Sequence, residues 1–171
     1  MCFTNTHTAD EPEHELPKTV RASAPQTHTV PNDVLLPEVG RLVAQGRSVT
    51  LPVKGNSMNP FLVDGRDQVV LSPFRDTDLR PGAVVLALDT EGRFVLHRIV
   101  DRRDKRLLLR GDGNLQQTET TDTDHVLALM SIARRKGVGY PVTGCVWRIY
   151  SRLWMWLFPL RRWLLALFRR L

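Results

Sequence analysis

Three residues of this chain have the side chains needed for acyl transfer: Ser57, His97 and Asp112. A serine hydroxyl is a poor nucleophile until a base removes its proton, and an imidazole does so best when a carboxylate fixes its tautomer. In that scheme Ser57 Oγ attacks a peptide carbonyl. His97 takes the proton and returns it to the leaving amine, while Asp112 steadies the imidazolium. Backbone N–H groups near Ser57 have to hold the oxyanion, a contribution of about 3 kcal/mol per donor. Taken singly, each residue has a plainer reading: a turn serine, a hydrogen-bonded strand histidine and a turn aspartate.

The segments around them must do the positioning. Leu51-Pro52-Val53-Lys54-Gly55-Asn56-Ser57-Met58-Asn59-Pro60 reads as a strand entering a tight turn. Gly55 has no Cβ, so an extended peptide can approach its backbone, and Pro60 restricts the backbone of Asn59. Gly55, Asn56 and Met58 are therefore the candidate substrate-binding positions, with Met58 also read as packing. His97 lies in Phe94-Val95-Leu96-His97-Arg98-Ile99-Val100, and Asp112 in Arg110-Gly111-Asp112-Gly113-Asn114. Lys54 precedes the serine too closely to act as its base. His125 is an alternative functional histidine.

Gly-x-Ser-Met-x-Pro, then His-Arg-Ile-Val, then Arg-Gly-Asp-Gly-Asn, in that order, resembles the signal peptidase and LexA-like serine peptidase superfamily. The resemblance spans roughly residues 51–132. Histidine at the base position makes the chain similar to the histidine-type branch of signal peptidases. The resemblance implies a Ser–His endopeptidase acting on a leader or precursor peptide, with no cofactor and no metal. Three features depart from the pattern. Gly55 stands where many lysine-type relatives carry a serine, and Ala83 stands where an acid is common. The further aspartate that often follows Gly-Asp-x-Asn is also absent, Glu119 and Asp122 being the nearest acids.

Short apolar runs punctuated by Gly and Pro predict strands near 68–71, 83–88, 93–100, 106–110 and 125–132. The expected fold is mainly β, a coiled, partly closed barrel. It carries an N-terminal helix from Asn32-Asp33 to about Gln45, stopped at Gly46, and a C-terminal amphipathic helical tail. Residues 1–31 are expected to be disordered, and His7, His14 and His28 within them to be solvated rather than metal-binding. Residues 32–146 then form the peptidase domain and 147–171 the tail. Hydrophobic content of 42% suffices for one core.

The net charge of +6 resides in that tail, where Trp147–Leu171 holds six arginines and no acid. The rest of the chain is electrically balanced, which excludes a uniformly basic nucleic-acid-binding domain. Apolar runs with three tryptophans, separated by Arg161 and Arg162, fall short of the ~20 apolar residues of a helical span. They suit a helix lying in an anionic membrane interface, with a kink or new start at Pro159. A terminal helix packed on its own domain or on a partner protein is the alternative. Deletion of the tail is expected to leave the fold. Cys2 and Cys145 offer neither a disulfide framework nor metal spacing. With no leader or span in view, the expected location is cytoplasmic, at the inner face of the membrane. A catalytically inactive peptide-binding or recruitment module, and a self-cleaving LexA-like regulator, are the competing readings. The second ranks last because the family lysine and a DNA-binding domain are both missing.

Overall fold

The computed structural model describes residues 31–168, so the expectation for residues 1–30 lies outside it. Helix α1 (Asn32–Ala44) leads into strands β1 (Val49–Pro52), β2 (Asp67–Ser72), β3 (Val84–Leu88) and β4 (Phe94–Arg103). Strands β5 (Arg106–Arg110), β6 (Glu119–Asp122), β7 (Val126–Arg135) and β8 (Val138–Pro141) follow, then helices α2 (Cys145–Trp156) and α3 (Arg161–Phe168). The fold is mainly β, as expected. All pairings are antiparallel, in the order β1-β2-β7-β3-β4-β5-β6 with β8 also on β7. Register shifts at Val70/Leu71, Leu86/Ala87 and Ile99/Asp101 add twist and coil the sheet into a half-barrel.

Alternation along β3 sorts the interior into two cores. Val84 and Leu86 point to one face and Val85 and Ala87 to the other. The first core also contains Val39 and Val43 of α1, Met58, Met130 and Trp147 of α2. α1 crosses β7 closely: a Cβ at Gly40 would sit 3.2 Å from Leu127 Cδ2. The second core, with Leu79, Ile99, Leu107 and Leu109, lies on the opposite face of the coiled sheet.

Several boundaries differ from the sequence reading. α1 is preceded by Pro31 and has no side-chain cap across its first turn. Asp33 instead accepts the N–H of the adjacent Val34. Gly46 follows the helix with φ +84°, in the left-handed region that glycine tolerates. β6 and β8 carry no strong apolar run and escape a pattern search. β6 is recruited by pairing with β5, Leu109 opposite Glu119.

The largest difference concerns the boundary placed after residue 146. That position falls in the first turn of α2, whose inner face is part of the domain. Trp147 and Trp154 are buried, and Phe61 from the segment after Ser57 lies 4.7 Å from Trp147 and 4.5 Å from Tyr150 between ring centroids. The chain breaks around Pro159 in a short 3-10 turn, and Arg161 turns back to donate two hydrogen bonds to the Trp154 carbonyl, satisfying an acceptor in the last turn of α2. Among the described residues no helix is long and apolar enough to cross a membrane.

Candidate active site

Ser57 sits inside a tight turn in which Asn59 N–H donates to the Asn56 carbonyl and Asn59 Nδ2 to Asn56 Oδ1. Gly55, at φ +81°, opens the turn and donates its N–H to Asp64. Met58 anchors the turn by burying its side chain in the first core, so of the three candidate substrate-binding positions only Gly55 and Asn56 are exposed. Met58 is a packing residue. Among the described residues, the N–H groups of Ser57 and Met58 donate to no other group, leaving two backbone donors beside the hydroxyl.

The segment after β5 closes over this turn. Gly113 N–H donates to the Ser57 carbonyl at 2.8 Å. A Cβ on Gly111 would collide with that same carbonyl and lie 3.1 Å from His97 Nε2. The Ser57 turn and the imidazole thus converge on one glycine, and only the missing side chain leaves room for both. Ser57 and His97, 40 positions apart in the chain, both border Gly111, Ser57 through its carbonyl and His97 through Nε2. Among the described residues no hydrogen bond joins Ser57 Oγ to His97 Nε2. Such bonds are often long in unliganded enzymes and tighten with substrate.

The carboxylate bonded to His97 is Glu119, where the sequence reading expected Asp112. His97 Nδ1 lies 2.8 Å from Glu119 Oε2, with His97 5% and Glu119 6% exposed. Asp112 is turned away, and strand parity is the reason. Ile99 pairs with Leu109, and Leu109 with Glu119, so His97, two residues before Ile99, shares a face with Glu119. Continuing β5 by the same alternation puts Gly111 on that face and Asp112 on the opposite one, where Arg98 points. Arg98 Nε and Nη2 hold the two Asp112 oxygens at 2.8 and 2.6 Å.

That opposite face holds a second polar network. Arg98 Nη1 donates to the Gly82 carbonyl and to Ser151 Oγ, each at 2.8 Å. Tyr150 Oη donates to Asp112 Oδ2 at 2.9 Å, and Trp154 Nε1 to the Asp112 carbonyl at 3.0 Å. Burial works against the Arg98 charge, but the adjacent Asp112 carboxylate more than offsets it and holds the guanidinium above its usual range. Burial, reinforced by Asp112, pushes the Tyr150 phenol far above its usual value, so it stays a donor. The network's physical effect is to tether the Gly111–Asn114 loop to α2. Asp112 is committed to this network rather than to His97.

Sequence reasoning missed Glu119, although the signal was present: Leu107, Leu109 and Ile99 are apolar at alternate positions, and extending both registers by two residues separates Asp112 from His97. His125 is exposed and ends a short 3-10 turn before β7, and Lys54 is exposed. Comparison of the chain with family models, with curated proteins and with solved structures gives no match. The site is read from its own geometry.

Proposed function

We propose that this chain is a serine endopeptidase that cleaves a leader or precursor peptide beside a membrane, on a half-barrel of the signal peptidase and LexA-like type. One observation carries the reading: the Ser57 carbonyl and His97 Nε2 both crowd Gly111, while the far nitrogen of His97 rests on a buried carboxylate. In this reading His97 is held with N–H at Nδ1, donated to Glu119, so that Nε2 is the basic atom on the side of Ser57. Ser57 Oγ attacks the scissile carbonyl as His97 Nε2 takes its proton, giving a tetrahedral oxyanion within reach of the Ser57 and Met58 N–H groups. Collapse breaks the C–N bond, and the proton passes from Nε2 to the leaving amine. Water, deprotonated by the same nitrogen, then attacks the acyl-enzyme and frees Ser57.

The substrate fits as an extended strand. Among the described residues β1 pairs only with β2, so its outer edge lies next to Gly55 and the nucleophile turn and suits strand addition. The outer surfaces of α2 and α3 favour a lipid interface. Val146, Ile149, Leu153 and Trp156 repeat at helical spacing and are exposed, as are Leu160, Trp163, Leu164 and Leu167, with Trp156 77% and Trp163 66% accessible. Arginines flank these stripes, the pattern of a helix lying at an anionic surface. We place the protein at the inner face of the membrane.

The decisive experiment is N-terminal peptide profiling in native-host cells carrying wild type or Ser57→Ala. New N-termini seen only with wild type establish the peptidase and its cleavage residues. The open Ser57–His97 pair favours one second reading, a catalytically inactive peptide-binding module. Identical profiles with both proteins folded would establish that one instead.

A further inference from the structure

The side of α2 between its core face and its apolar stripe borders a cleft of about 450 Å³, whose opposite wall is the Arg80–Val84 segment leading into β3. Arg148 and Arg152, one helical turn apart, line it from α2, and Arg80 lines it from the opposite wall. None of the three guanidinium groups has an ion-pair or hydrogen-bond partner among the described residues, whereas those of Arg41, Arg66, Arg93, Arg98, Arg102, Arg103 and Arg135 are all paired with carboxylates. The one carboxylate on the lining, Asp78, accepts the Arg75 N–H. Three uncommitted guanidiniums around one carboxylate make the cleft cationic. Val142, Met155 and Trp147 supply its apolar lining.

We propose that this cleft binds the phosphate of an anionic phospholipid headgroup. Guanidinium groups match phosphate oxygens by paired N–H donation. Two features favour a lipid phosphate over a free one. The lining is partly apolar, and the same helix carries the exposed stripe of Val146, Ile149, Leu153 and Trp156 next to the arginine side, so a headgroup in the cleft leaves its acyl chains beside that stripe. Arg80 gives the site its specificity. It belongs to the sheet domain rather than to the amphipathic helix, and diffuse attraction of a basic helix to a surface has no need of it. This inference rests on the membrane part of the function proposed above and is independent of the peptidase chemistry.

The test is co-sedimentation of the full-length protein with vesicles of phosphatidylcholine alone and with phosphatidylglycerol added. Arg80→Gln and Arg148→Gln are compared with Arg134→Gln, an exposed arginine that does not line the cleft. Wild type is expected to require phosphatidylglycerol. Arg80→Gln and Arg148→Gln should each weaken binding about five-fold or more, and Arg134→Gln less than about two-fold. Arg80→Lys should recover part of the loss. Thermal unfolding of each variant checks that it is folded, and agreement between Arg80→Gln and Arg148→Gln guards against a defect in either. Equal losses at positions 80 and 134 would overturn the cleft while leaving the membrane reading standing. Absence of wild-type binding to the anionic vesicles would overturn both. Displacement by excess inorganic phosphate, but not by chloride of equal ionic strength, would reassign the cleft to a free anion and overturn the lipid.

Discussion

His97 Nδ1 and Glu119 Oε2 lie 2.8 Å apart, and both residues are shielded from water. A carboxylate in that place selects which imidazole nitrogen is free to act as base. Glu119→Gln keeps the size and loses the charge, so under the proposed peptidase mechanism turnover should fall about 10²- to 10⁴-fold with KM little changed. Glu119→Asp should recover part of the activity. An unchanged kcat in a folded Glu119→Gln variant would remove Glu119 from the mechanism.

Asp112 should answer differently. Its removal leaves the Arg98 guanidinium buried without a counter-charge, and breaking such a pair costs about 3–5 kcal/mol. Asp112→Asn is expected to lower the urea midpoint substantially. A fully stable Asp112→Asn variant with abolished turnover would instead make this aspartate the catalytic acid.

Gly111 is the place where added volume is most informative. Alanine there would push on the Ser57 carbonyl and sit 3.0 Å from Asn114 Nδ2 and 3.1 Å from His97 Nε2. Displacing either reacting group by about 1 Å costs roughly 10²-fold in rate. Gly111→Ala should therefore reduce kcat by about that factor even where the protein remains folded. Wild-type kcat in that variant would mean the two groups need no close approach at this position.

The two sides of α2 should separate cleanly. Ile149→Glu combined with Leu153→Glu alters only exposed positions, so each change should cost no more than about 0.5 kcal/mol of stability while abolishing vesicle binding. Truncation before Cys145 removes Trp147, Tyr150, Ser151 and Trp154 from the Arg98–Asp112 network and should abolish cooperative unfolding. A truncated chain that still unfolds cooperatively would restore the tail as a separable segment.

Asp67, at the β2–β7 end of the sheet, should contribute to acid sensitivity. Burial alone would raise the Asp67 carboxyl, but hydrogen bonds from Arg66, Arg135 and the Val63 N–H hold it below the usual carboxylate range. A folded-state value below the unfolded one adds stability that is fully present above about pH 4 and is lost as pH falls through the lowered value. Asp67→Asn should flatten the dependence of unfolding free energy on pH below about 4. A slope identical to wild type would show that other carboxylates govern it.

The mainly β character, the helix before β1 and the turn around Ser57 were legible because each depends on local chemistry. Alternating apolar residues, Gly46 after a helical run and the Gly55-to-Pro60 turn are all read within a few positions. Glu119 was not legible in the same way, because its partnership with His97 is settled by two successive strand registers and not by its neighbours. The inner face of α2 was obscured by its own composition. Its tryptophans serve opposite purposes, Trp147 and Trp154 filling the interior and Trp156 facing outward, and a residue count cannot separate them.

The adjacency of His97 and Arg98 on β4 also limits how this chain can change length. Inserting or deleting one residue between the β3–β4 turn and His97 would exchange the two side chains across the sheet. A guanidinium would then face Glu119 and an imidazole Asp112, so both networks would fail together. Natural length variation should therefore gather in the connections, at residues 89–93 and 115–118, and spare the strand itself.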